Sequence, residues 1–240
     1  MANRRPPRGK ARARRRSARA PLFERGTLGF SLETLTPWEF DETFGLRPLA
    51  GFDEAGRGPL AGPLVVCGLI LDPFRQPPVK VSDSKTMSAA EREEAYAWIK
   101  EAALEIRVAV KSPRDVDELN PLVASLRGME EAHGAMALKP RLSLIDGNAL
   151  PFLPGEARAV IHGDEKSLAI AAASIVAKVT RDALMLAEHE NYPQYGFDKH
   201  KGYATRAHLA VLAARGPSPI HRLSFKGVAP PPPPGPGGLF

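Results

Sequence analysis

Leu64-Val-Val-Cys-Gly-Leu-Ile-Leu71 runs for eight residues without a charged or strongly polar side chain. A strand with one face in water alternates apolar and polar residues. An unbroken run therefore reads as a central strand covered on both faces. The neighbouring pattern supplies the covers. Leu49 to Asp53 reads as a preceding strand, joined to the run by a Gly/Pro-rich turn. Ser88 to Ala103 reads as a helix, with Ser88 and Glu91 as a capping box and Tyr96, Ile99 and Ala103 on one side. Leu104 to Val110 follows as a strand, and Asp115 to Ala137 as a helical pattern interrupted near Pro121. Leu142 to Ile145 is a short strand ending in the turn Asp146-Gly147-Asn148, and Ala157 to Ile161 a strand stopping at His162-Gly163-Asp164. Ala169 to Glu190 predicts a long helix whose small residues (Ala171, Ala172, Ala173, Ser174, Ala177) allow close approach to a sheet. Ala204 to Ala214 predicts a last helix, closed by Gly216-Pro217. The alternation, with no internal repeat, predicts an α/β fold: a mixed central sheet flanked by helices, with a helical C-terminal part.

Charge sets the ends apart from this core. Residues 1–20 carry nine basic side chains and no acid, leaving 24 basic against 27 acidic residues in the rest of the chain. An Arg-rich, Pro-containing segment without apolar periodicity is expected to be disordered and to attract nucleic acid non-specifically. A dispensable extension is the equally simple reading, and its prolines spoil the amphipathic helix of a transit peptide. Thr36-Pro37-Trp38-Glu39 marks the start of a short helix, expected as a spacer or lid between extension and core. Pro230 to Pro234 and the following Gly235-Pro236-Gly237-Gly238 cannot pack or form ladders, which predicts a frayed end. The expected division is thus a basic extension (1–47), a globular core that starts near Pro48, and a Pro/Gly-rich tail (229–240).

Cys67 is the single cysteine and lies inside the apolar run, so no intramolecular disulfide can form and a buried thiol is expected. That fits a reducing, cytoplasmic location. The apolar segments Leu60 to Leu71 and Leu168 to Ala177 fall well short of the roughly 20 residues a membrane helix needs. A soluble monomer with no membrane partner is expected.

Chemistry concentrates in Gly51-Phe-Asp53-Glu54-Ala-Gly56-Arg57-Gly58-Pro59, where two carboxylates end a strand and a Gly-Arg-Gly turn follows. Glycines let backbone N–H groups approach a polyanion closely. Asp146 and Asp164 also follow apolar strands, and in an open α/β sheet such strand ends could gather at one edge, where ligands tend to bind, although spacing along the chain does not by itself bring them together. Clustered carboxylates repel one another, and the natural remedy is a hard divalent cation, Mg2+ or Mn2+, held by oxygen ligands. One cysteine and scattered histidines cannot build a closed zinc site. Adjacent strand residues face opposite sides, so Asp53 and Glu54 share one ion only if the chain bends there, a bend that Gly56 could supply. Taken singly, Asp146 also reads as a turn residue before glycine and Asp164 as a helix-N-terminal acid, with Glu165 and Asp182 as competitors.

The ordered series Gly51-Phe-Asp-Glu-Ala-Gly-Arg-Gly-Pro-Leu-Ala-Gly-Pro63, Asp83-Ser-Lys85, Leu144-Ile-Asp-Gly-Asn148, Gly163-Asp164, Ile170-Ala-Ala-Ala-Ser-Ile-Val-Ala-Lys-Val-Thr-Arg-Asp182 and His200-Lys-Gly-Tyr203 resembles the motifs of ribonuclease HII. The resemblance spans about residues 48–228. It implies a ribonuclease H-like fold and a metal-dependent endonuclease acting on RNA–DNA hybrids and at ribonucleotides in duplex DNA, leaving 5′-phosphate and 3′-hydroxyl ends. It further implies that Asp53, Glu54, Asp146 and Asp164 hold two Mg2+ or Mn2+ ions, that Gly56, Arg57 and Gly58 read a ribose 2′-hydroxyl, and that Tyr203 packs on the next sugar. Lys85 would hold a phosphate; Lys178 and Arg181, one turn apart, would track backbone phosphates or line a solvated face. Trp38 and Trp98 read as packing residues. A non-catalytic nucleic-acid-binding protein and a resolvase- or integrase-type nuclease are the competing readings. Four retained acids disfavour the first, and the Gly-Arg-Gly turn with Tyr203 disfavours the second.

Overall fold

The computed structural model describes residues 35–228; the expectations placed on the basic segment and on the Pro/Gly-rich tail lie outside the described residues. Five strands form one sheet: β1 (Leu49–Ala55), β2 (Leu64–Leu71), β3 (Ala103–Lys111), β4 (Leu142–Asp146) and β5 (Glu156–Val160), in the spatial order β3-β2-β1-β4-β5. β2 pairs antiparallel with β1 and β3, whereas β4 joins β1 and β5 joins β4 in parallel. The sheet is mixed, as expected, and β2 is interior and buried along all but its last residue.

Alternate side chains of β2 meet different helices. Val65, Cys67 and Leu69 face α6 (Leu168–Asn191) and α2 (Ala89–Ala102), while Leu64, Val66 and Ile70 face α4 (Pro121–Ala135) and α3 (Pro113–Leu119). Each such side chain removed from water contributes about 1.5–3 kcal/mol. A strand that is apolar on both faces does not define its own register. β1 does so here: Phe52 stands opposite Gly68, and its ring fills the space that a side chain at 68 would occupy. Gly51 plays a matching part on the other face. A Cβ there would lie 2.1 Å from the carbonyl carbon of Ala169, so the first turn of α6 rests directly on β1. The small residues Ala171, Ala172, Ala173, Ser174 and Ala177 are all buried in that contact layer.

Local signals place the helix ends. Ser88 and Glu91 form the expected reciprocal cap of α2. The helical pattern expected over 115–137 is two helices. Asn120, at φ 67°, ends α3, and its side chain accepts the Leu122 and Val123 N–H groups that open α4 after Pro121. α1 (Pro37–Glu42) carries the expected Thr36/Glu39 capping box but is no spacer. Its Asp41 is buried and accepts the Ala169 N–H at 2.9 Å, tying α1 to the start of α6. Burial pushes Asp41 up to about 6, against the opposing hydrogen bonds from Ser167 and Ala169. Trp38 and Trp98 pack on the α2/α6 layer, as expected of packing residues. The C-terminal part is helical: α7 (Phe197–His200) and α8 (Arg206–Arg215), which begins after the Thr205 cap and not at Ala204. Leu60, Ala61, Met185, Tyr195, Phe197, Leu212 and Val228 form its own small core.

Candidate active site

Because β1, β4 and β5 run parallel, their C-terminal ends lie side by side and carry the acids together. Asp53 and Glu54 close β1, and Asp146 is the last residue of β4. Asp164 lies in the one-turn helix α5 (Gly163–Lys166) just past β5, where the Gly163 N–H donates to Asp146 Oδ1 at 2.7 Å. His162, at φ 56°, turns the chain into that position.

The bend expected between Asp53 and Glu54 is absent. β1 stays in register with β2 through both residues (Asp53 opposite Cys67, Glu54 opposite Val66), and the chain turns only afterwards, at Gly56. The two carboxylates therefore face opposite sides of the sheet. Asp53 meets Ser174 of α6, whereas Glu54 meets Ser125 of α4 and pairs with Arg57 at 3.2 Å. Asp146 is their common neighbour. Asp53, only 3% exposed, is held well above the usual carboxylate range by burial and then by Glu54 and Asp146. Burial likewise raises Glu54, with Arg57 opposing and Asp146 adding to the rise. Burial and then Asp146 raise Asp164, against Lys85 at 3.3 Å. Among the described residues no three acids converge as closely as the ligands of one ion, and each accepts from a donor of the chain itself. The donor set nevertheless fits a hard divalent cation: it is all carboxylate oxygen, and its mutual repulsion is what such a cation relieves. Of the competing acids, Asp164 is the one whose carboxyl Asp146 raises; Glu165 is exposed and Asp182 pairs with Lys178 at 2.7 Å.

The Gly-Arg-Gly turn follows directly. Gly56 sits at φ 100°, and a Cβ there would lie 2.2 Å from Arg181 Nε, so only glycine fits. Arg57 and Gly58 are exposed, and so is Tyr203, with 45% of its surface open. Arg181, expected on a phosphate track or a solvated face, does neither. It is 1% exposed and its guanidinium donates to the carbonyls of Pro63, Ala61 and Lys201, while Tyr203 lies over it at 5.8 Å. Packed under Gly56, it is the strut between the Ala61–Pro63 end of the same loop and the Lys201–Tyr203 segment. The small residues on the same helix face are the reason: a long side chain there points into the protein. Lys178 is held by Asp182 on its own helix and makes no contact with the acids.

Two further groups had not been singled out from the sequence. Arg222 is fully buried and donates to the carbonyls of Gly56, Arg57 and Gly62. His208 Nδ1 lies 2.9 Å from the Tyr203 carbonyl, which can only accept, so that nitrogen carries the proton. His208 Nε2 then accepts from His221 Nε2 at 2.9 Å, and His221 Nδ1 accepts the Ser218 N–H. Burial depresses both rings, His221 to about 4, which keeps this single neutral arrangement intact. No sequence periodicity announces a buried arginine in a loop. Ser174 did leave a signal, as the one polar residue between Leu168 and Ala177.

A family model for ribonuclease HII matches residues 50–228. A ribonuclease HII of Dechloromonas aromatica is 49% identical over 181 residues, covering 75% of this chain and 92% of the relative. Among solved structures, ribonuclease H2 from Pyrococcus horikoshii superposes with a TM-score of 0.65 at 25% identity, covering 75% of this chain and 94% of that one. The ribonuclease HII in a complex with PCNA from Archaeoglobus fulgidus gives 0.60 at 30% identity, covering 74% and 95%.

Proposed function

Since the chain belongs to the ribonuclease HII family, endonucleases that cleave the RNA strand of RNA–DNA hybrids, we propose that it also cuts 5′ to single ribonucleotides embedded in duplex DNA, leaving 5′-phosphate and 3′-hydroxyl ends. The observation that carries this reading is that Arg181, packed under Gly56 and bonded to the Ala61, Pro63 and Lys201 carbonyls, joins the loop of the exposed Arg57 and Gly58 to the segment of the exposed Tyr203, beside the acids at the ends of β1 and β4. Asp53, Glu54, Asp146 and Asp164 would hold the divalent ions, Mg2+ or Mn2+. When bound, such ions supply Lewis acidity at the scissile phosphate. Asp53 and Glu54, on opposite faces of β1, would offer carboxyl oxygens from both sides of the sheet beside Asp146. Lys85, exposed and 3.3 Å from Asp164, stands where a phosphate can take over its ion pair. Arg57 and Gly58 offer backbone N–H groups to the ribose 2′-hydroxyl, the group that distinguishes RNA from DNA at one position. Tyr203 packs on the following sugar and reports whether it is deoxyribose. The protein acts as a monomer on this reading.

Incubating the protein with duplex DNA containing one ribonucleotide, with divalent metal and with chelator, tests it. Metal-dependent scission on the 5′ side of the ribonucleotide is expected. Equal cleavage of an all-deoxy duplex would instead favour a resolvase-type nuclease.

A further inference from the structure

We infer that Arg222 is a positioning residue for substrate recognition: from beneath the Gly-Arg-Gly turn it aims the backbone N–H groups of Arg57 and Gly58 at the ribose. The inference rests on the ribonucleotide-reading role proposed for the turn. In a trans peptide the C=O of one residue and the N–H of the next lie in one plane and point in opposite directions. Arg222 Nη2 donates to the Gly56 carbonyl at 2.6 Å, which turns the Arg57 N–H outward. Nη1 donates to the Arg57 carbonyl at 3.1 Å, which turns the Gly58 N–H outward. The remaining bonds, from Nε at 3.0 Å and Nη2 at 2.8 Å to the Gly62 carbonyl, anchor the guanidinium to the far end of the loop. Neither the Arg57 nor the Gly58 amide has a backbone acceptor among the described residues.

The chemistry of the clamp is unusual in what it lacks. Arg222 is fully buried, yet no carboxylate pairs with it among the described residues. Burial pushes its pKa down to about 10, Arg181 pushes the same way, and Asp117 opposes. A buried guanidinium is costly unless its donors are satisfied, and here backbone carbonyls alone satisfy it. Arg181 gathers the Ala61 and Pro63 carbonyls from the other side. Two cations thus collect the loop's carbonyls beneath it, leaving its rim polarised toward an electronegative oxygen such as a ribose 2′-hydroxyl or its adjoining phosphate. Such polarity serves recognition and adds nothing to the carboxylate chemistry.

Arg222→Lys keeps the charge but replaces a planar fork with a single ammonium that cannot hold three carbonyls at once. Binding without divalent metal is measured on two duplexes that differ only in one ribose or deoxyribose. For the wild type, two amide hydrogen bonds predict a preference for the ribonucleotide of roughly tenfold. In Arg222→Lys the preference should shrink to about twofold, with all-deoxy binding changed much less. A variant that weakens both duplexes equally and keeps the preference overturns the role of Arg222 while leaving the functional reading intact. A wild type with no preference overturns the reading of the turn itself. Should Arg222→Lys fail to fold, amide hydrogen exchange on the wild type decides. The Arg57 and Gly58 amides must exchange freely in the free protein and become protected only by the ribonucleotide duplex; protection before binding overturns the inference.

Discussion

Replacing Asp53 with Asn should move activity and stability in opposite directions. Asp53 is 3% exposed, and burial, Glu54 and Asp146 together hold its carboxyl well above the ordinary value of 3.8. Above about 3.8 the folded chain therefore holds that proton more tightly than the unfolded chain does. Its contribution to stability is fully present below about 3.8 and is lost as pH rises through the folded value. In chelator at neutral pH the wild type carries that cost, and Asp53→Asn does not, because the amide oxygen can still accept the Glu54 N–H that Asp53 Oδ1 accepts at 2.7 Å. Relieving an active-site charge of this kind commonly stabilises by about 0.5–2 kcal/mol, and a chain of this size gains roughly 2–4 °C of Tm per kcal/mol. Cleavage should fall at least about 1000-fold, the several kcal/mol that charge stabilisation by one bound ion is worth. Calorimetry in EDTA between pH 5 and 8 and single-turnover cleavage at saturating Mg2+ or Mn2+ check the two halves separately. A variant less stable than the wild type in EDTA at pH 7.5 would refute the repulsion argument. Near wild-type turnover would remove Asp53 from the site.

Gly51→Ala places a Cβ 2.1 Å and 2.3 Å from the Ala169 carbonyl carbon and oxygen, which as backbone cannot give way; a loss at or above the usual overpacking cost of about 1–3 kcal/mol should appear as a lowered Tm. An unchanged Tm would show that α6 does not rest on β1. His221 is pushed down to about 4, by burial first and then by His208, from an ordinary value of 6.5, so its stabilising share is full above about 6.5 and is lost as pH falls toward 4. Urea unfolding between pH 4.5 and 7 should show this slope flattened in His221→Gln, and an unaltered slope counts against the neutral His208–His221 pair. Tyr203→Ala, at a half-exposed position whose ring meets Arg181, should cost no more than about 1 kcal/mol of stability while slowing cleavage at a lone ribonucleotide more than within a long hybrid. Equal losses on both substrates would make Tyr203 a general positioning residue.

Features written within a few residues were legible in the chain itself. The capping boxes Thr36/Glu39 and Ser88/Glu91, the all-apolar β2 and the small-residue face of α6 follow from periodicity and short-range hydrogen bonding, and each is present in the structure. That Asp53, Asp146 and Asp164 each follow an apolar strand was legible too, whereas the parallel pairing of β1, β4 and β5 that sets those strand ends side by side was not. Tertiary structure alone decided how these pieces use their charges. It kept β1 straight, so that Asp53 and Glu54 serve opposite faces; it docked α1 through Asp41, 128 residues from its partner Ala169; and it turned Arg181 inward. Arg222 reaches the Gly56 carbonyl across 166 residues of chain. Whether a charged side chain meets water or buried backbone depends on what packs over it, and that partner can come from anywhere in the chain. A local pattern therefore carries the element, and the packed fold carries the fate of its polar groups.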